Sequence, residues 1–161
     1  MPAHYPVPIQ EDIRDLLGDL LARGVAVDKT TALVLDDDAV GVVASYVTAE
    51  DEVGALCVCD GRFAVLAGAA LVLVPPNVAR EQIDAGELDD TQVEIAHEVA
   101  NILSRLLNTP RTPHLRLRTL HRLPGELPPD VRGLLDRPEF RRDFVTAIDG
   151  YGEGRMSILV A

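Results

Sequence analysis

The chain has 161 residues, 47% hydrophobic and 25% charged, a balance that suits one soluble globular domain and excludes a disordered segment. A net charge of −11 argues against a nucleic-acid partner, because phosphate backbones are bound by basic surfaces. No apolar run reaches the roughly 20 residues that span a bilayer. The opening MPAHYPVPIQED lacks the basic-then-apolar order of a secretory signal. We therefore expect a cytoplasmic protein with no membrane partner, a single domain over 1–161 with 1–8 as a flexible tail.

Residues 9 to 23 read as an amphipathic helix, with Ile9, Ile13, Leu16, Leu17, Leu20 and Leu21 on one face and Gly24 placed to end it. Lys29 to Leu35, Val40 to Val47 and Val53 to Cys59 are rich in β-branched and apolar residues, and predict a three-stranded antiparallel meander. The Asp36-Asp37-Asp38 triplet between the first two reads as a polar hairpin turn, since three adjacent carboxylates cannot all face one cation. Cys57 and Cys59 point the same way from one strand and read as buried thiols.

Gly61 to Val74 is apolar nearly all round and predicts a buried helix ended by Pro75-Pro76. A short helix capped by Asn77 through Gln82 and a linker from Gly86 to Asp89 follow, with Asp89 or Asp90 as the next N-cap. His114 to Leu123 alternates, placing Leu115, Leu117 and Leu123 on one face and His114, Arg116, Arg118 and Arg122 on the other. A Pro- and Gly-rich excursion then carries at most a helical turn near Val131 to Leu135. Phe144 to Asp149 and Met156 to Val160, joined by Gly150, Gly152 and Gly154, predict a terminal hairpin.

The stretch Thr91 to Asn108 carries the most information. At about 100° per residue, Val93, Ile95, Ala96, Val99, Ala100, Ile102, Leu103, Leu106 and Leu107 cover one half of a helix. Glu94, Glu98, Asn101 and Arg105 form a narrow stripe opposite, with His97 beside it. From the residues alone this is either a solvated face or a working surface. Elsewhere the chain has no Gly-rich phosphate loop, no His-Glu-x-x-His, no repeated Cys pair and no Gly-x-Ser-x-Gly elbow, so an independent small-molecule enzyme is not indicated.

The stripe resembles the signature of the CheC, CheX and FliY family of bacterial response-regulator phosphatases. That pattern is Asp or Ser, three residues, Glu, two residues, Asn, and a Pro some 22 residues on. Here Glu94, Glu98, Asn101 and Pro124 stand at those places, the last two separated by 22 residues. Glu94 departs from the Asp or Ser, and Arg105 stands where the family often has Gly. A second copy is absent, because Glu11, Arg14 and Gly18 in the first helix put Arg at the amide position. A single site resembles the CheX branch.

The resemblance implies an α+β fold, a largely antiparallel sheet with two long amphipathic helices packed on it. It implies phosphatase activity on the aspartyl phosphate of a CheY-like receiver domain. Asn101 would orient the attacking water, Glu98 would pair with a receiver Lys, and Glu94, Arg105 and Pro124 would support them. No cofactor is implied for this chain, since Mg²⁺ belongs to the receiver. A homodimer joined through its sheets is also implied. The alternative is a non-catalytic dimeric adaptor that uses the same helix to bind a signalling or flagellar partner.

Overall fold

The structure, a computed structural model, describes residues 5–36 and 38–161. Among them the elements run α1 (Gln10–Leu21), β1 (Val25–Lys29), β2 (Gly41–Val47), β3 (Val53–Asp60), α2 (Gly61–Val72), α3 (Pro76–Asp84) and α4 (Asp90–Leu103). A 3₁₀ turn over Ser104–Leu107 extends α4, followed by β4 (Arg116–Leu123), α5 (Pro129–Asp136), β5 (Phe140–Ile148) and β6 (Gly152–Val160). The fold is α+β, as expected.

All the strand pairings are antiparallel, and they build one six-stranded sheet in the order β1-β5-β6-β3-β2-β4. Side chains alternate across it, so one face takes Val42, Ala44, Cys57, Cys59, Phe144, Met156 and Ile158 into the main core with α1, α2 and α4. The other takes Val43, Leu56, Val58 and Leu159 into a smaller core under Val131 and Leu134 of α5. The central strands are therefore buried on both sides, which is why β2 and β3 read as continuous apolar runs.

Helix α2 is the buried helix that its composition predicts, and it approaches its neighbours through glycine. A Cβ at Gly154 of β6 would overlap the backbone of Phe63, and one at Gly68 would stand 3.0 Å from Cγ2 of Ile95 in α4. The sequence therefore lets α2 lie directly on β6 and lets α4 lie directly on α2.

The expected meander is corrected at its first strand. β1 spans Val25–Lys29 rather than 29–35, and it pairs with β5 at the far side of the sheet from β2. The segment after it crosses the second sheet face, fastened by Asp143. Leu33 N donates to Asp143 Oδ1 at 2.8 Å, Thr30 N to Asp143 O at 2.9 Å, and Arg141 bridges Asp143 and Leu33 O. Asp36 accepts from Ala39 N in a turn within that crossing, not in a hairpin, and Asp37 lies outside the described residues.

The faces of β4 also differ from the expected alternation. A register shift opposite Ser45 and Tyr46 inserts Arg118 as an extra residue, and one extra residue exchanges the faces beyond it. Leu117 and Leu120 therefore both face the main core, whereas Leu123 faces the smaller one and Arg122 points to α4. At the helix ends, Ala22 and not Gly24 takes the left-handed position after α1, and Pro75 rather than Asn77 precedes α3. Of the expected tail, residues 1–4 lie outside the described residues, while Tyr5 and Val7 pack on the core and Val7 O accepts from Arg142 at 2.8 Å.

Candidate functional site

Helix α4 begins at a capping box. Asp89 Oδ1 accepts from Gln92 N at 2.7 Å, and Gln92 Oε1 accepts from Asp89 N at 2.8 Å. Arg122 of β4 adds bonds to Leu88 O and to Asp90, at 3.1 and 3.0 Å. The start of the helix is thereby tied to the sheet edge.

Its inner face packs Ala96, Val99, Ala100 and Leu103 on Val42, Ala44, Cys57 and Cys59 of the sheet and on Phe63, Ala64 and Ala67 of α2, leaving a cavity of only about 10 Å³. A helix packed at that density is a rigid support. The two thiols are buried as expected, with sulfurs 3.8 Å apart.

Opposite this seam, Glu94, His97, Glu98, Asn101 and Arg105 are all exposed. Among the described residues none of their side chains makes a hydrogen bond or ion pair, so the stripe is presented to solvent uncommitted. Glu98 and Asn101 lie one turn apart, with Cβ atoms about 5–6 Å from each other. One carboxylate, acceptor only, thus stands beside one amide that both donates and accepts. Pro124 is not brought to this pair. It follows Arg122 near the start of α4, whereas Asn101 lies near its end, about 16 Å along the axis from Asp90. The Leu123–Pro124 peptide is cis.

The helix tightens immediately after Asn101. Ser104 N–H donates to Asn101 O and is shared with Ile102 O, and Ser104 Oγ donates to the Asn101 carbonyl. Leu103 and Ser104 carry ψ of −22° and −25°, values of a 3₁₀ turn. The carbonyl of Ala100 is taken up by a buried side chain instead: Tyr46 Oη of β2 donates to Ala100 O at 2.6 Å. Burial, with the Cys57 and Cys59 thiols nearby, pushes the Tyr46 hydroxyl well above its ordinary pKa, so it stays a donor. Asn108 closes the turn, donating to Ser104 O at 3.1 Å. Tyr46, Ser104 and Asn108 were not among the sequence-predicted site residues. The only local sign was a phenol inside a strand that is otherwise small or aliphatic apart from Ser45.

No protein-family profile matches the chain, and no curated protein sequence matches it. Solved structures do. FliY from Thermotoga maritima is 14% identical with a TM-score of 0.55, covering 94% of this chain and 89% of that one. FliM from H. pylori, in its complex with SpeE, is 10% identical with a TM-score of 0.60, covering 94% and 80%. FliM in the H. pylori FliG–FliM complex is 12% identical with a TM-score of 0.53, covering 94% and 85%. The fold is therefore that of FliY and of FliM, the fold expected from the α4 signature. At these identities the likeness defines the fold and does not select the CheX branch. Among the described residues, no helix is long and apolar enough to cross a membrane.

Proposed function

We propose that this chain is a phosphatase acting on the aspartyl phosphate of a CheY-like receiver domain, with α4 as the docking element. The observation that carries the reading is the pair Glu98 and Asn101, exposed, unpaired and one turn apart on a helix close-packed beneath. The fold shared with FliY supports it.

In this reading the chain supplies no nucleophile. Asn101 accepts a hydrogen bond from a water and holds it in line with the phosphorus. The water oxygen forms the new P–O bond as the bond to the receiver's aspartate breaks, leaving a carboxylate on the receiver and inorganic phosphate that carries the water's protons. Asn suits this place because it orients water without bringing a negative charge to the phosphate. Glu98 pairs with a receiver lysine and fixes the approach. The Mg²⁺ of the reaction belongs to the receiver, and no cofactor is assigned to this chain. The setting is the cytoplasm, and the protein is a homodimer whose free edges, β1 and β4, are available for sheet joining.

The test is the decay of phosphorylated receivers from the same organism, with and without this protein. Accelerated decay that is lost in Asn101→Ala supports the mechanism. Decay left unchanged across those receivers sinks it.

A second reading, a non-catalytic adaptor, is favoured by one observation: Arg105 is an exposed cation one turn beyond Asn101. In that role the same face binds a signalling or flagellar partner without turnover, and FliM, which shares this fold, occurs in complexes with SpeE and with FliG. Receiver binding without accelerated decay selects this reading.

A further inference from the structure

In an uninterrupted α-helix, residues advance about 100° each, so Arg105 would project between Glu98 and Asn101, about 40° from the amide. A 3₁₀ turn advances about 120° per residue. With the change beginning at Ser104, Arg105 is rotated by about 40°, past the direction of Glu98 and about 80° from Asn101. The rise of about 2.0 Å per residue also carries it farther along the axis. The turn thus directs the Arg105 Cα–Cβ bond away from that of Asn101.

Two groups hold this geometry. Ser104 draws Asn101 O with both its N–H and its hydroxyl, which favours the tighter turn. Ala100 O, buried in the core, then relies on the Tyr46 hydroxyl. Tyr46 is itself fully buried and needs an acceptor. Each group satisfies the other only while the phenol is present. Without it, the donor that an α-helix offers to Ala100 O is Ser104 N–H, and regaining that bond restores the α-helical path.

We infer that Tyr46 is a positioning residue for the α4 site, its hydroxyl on Ala100 O stabilising the 3₁₀ turn that keeps Arg105 clear of Asn101. The inference deepens the phosphatase reading and rests on it for its kinetic consequence, while its structural half stands alone.

The decisive variant is Tyr46→Phe, which keeps the ring that fills the core. Scalar couplings across hydrogen bonds, measured by NMR, identify the acceptor of Ser104 N–H. The native protein shows coupling to the Asn101 carbonyl, and Tyr46→Phe moves it to Ala100. Ser104→Ala, a change at a half-exposed site that leaves the phenol on Ala100 O, measures the part of the Ser104 hydroxyl separately. Coupling that stays on Asn101 in Tyr46→Phe overturns the inference, whatever the protein's activity. In the receiver assay, Tyr46→Phe slows accelerated decay roughly tenfold, and the same change made on an Arg105→Ala background slows it no further. Equal slowing on both backgrounds assigns Tyr46 a merely structural part and also overturns the inference. If the native protein accelerates no receiver, the phosphatase reading fails and the coupling result still decides the position of Arg105.

Discussion

Asn108 acts toward Leu115 as a neighbouring strand would: its Nδ2 donates to Leu115 O at 2.9 Å and its Oδ1 accepts from Leu115 N at 2.8 Å. The same Nδ2 reaches Ser104 O, so one amide joins the end of the α4 extension to the segment entering β4. Both elements that frame the site are therefore locked at a single side chain.

Replacing Asn108 tests that lock. Asn108→Ala leaves the Leu115 N–H and two carbonyls without these partners in a half-buried place, for a loss of about 1–3 kcal/mol. Asn108→Asp keeps the acceptor for Leu115 N but sets a carboxylate against the carbonyls of Ser104 and Leu115, so it too destabilises. Urea unfolding followed by circular dichroism measures both. A midpoint unmoved in Asn108→Ala would show that the bridge contributes nothing.

Glu98 and Asn101 should separate in kinetics. In the proposed mechanism Glu98 acts on docking, so Glu98→Ala raises the receiver concentration needed for half-maximal rate and leaves the saturated rate close to native. There Asn101 orients the water, so Asn101→Ala lowers the saturated rate by about 10² or more at little change in that concentration. Titration with phosphorylated receiver distinguishes the two, and identical profiles for the two variants would contradict the assigned roles.

Asp143 links stability to acid. Burial alone would raise its carboxyl, but the Arg141 guanidinium, the Ser157 hydroxyl and Leu33 N–H outweigh that and hold it below the ordinary carboxylate range. Its folded-state value lies under the unfolded value of about 3.9. The contribution is thus fully present above about pH 4 and is lost as pH falls through the folded value. Asp143→Asn should therefore cost stability at pH 7 and flatten the acid limb of the stability curve. Asp130, also held low by its bond to Arg118, lies at an exposed pair, and Asp130→Asn should change stability by no more than about 1 kcal/mol. Chemical unfolding between pH 7 and pH 3 reads both effects.

Thr146 is fully buried in β5 and its hydroxyl has no hydrogen-bond partner among the described residues. An unpaired buried hydroxyl costs about 1–3 kcal/mol. Thr146→Val keeps the branched shape and removes that group, so we expect stabilisation of about 1 kcal/mol and a midpoint raised by about 2–4 °C. A lower melting temperature would mean that the hydroxyl has a partner in solution.

Much of the fold and the exposed pair was legible in the sequence. The helix face of Glu94, Glu98, Asn101 and Arg105 follows from a period of 3.6, and Asp89 was one of two N-cap candidates, its reciprocal bond with Gln92 being seen only in the structure. Apolar runs marked β2, β3 and α2, and glycines marked the last hairpin. Each of these is set by neighbours within a few positions, so local chemistry suffices.

Tertiary structure decided the rest. Val25–Lys29 pairs with β5, which lies over a hundred residues later, and nothing within its five residues distinguishes that partner from β2. The extra residue Arg118 in β4 exists only relative to Ser45 and Tyr46 on the neighbouring strand. The donor that takes up Ala100 O at the end of α4 is likewise a phenol 54 positions earlier in the chain. The sequence by itself determined which residues α4 shows to solvent, because periodicity is a property of one segment. Where Arg105 stands relative to Asn101 was decided only in the folded core, where a buried hydroxyl and a freed carbonyl each needed the other.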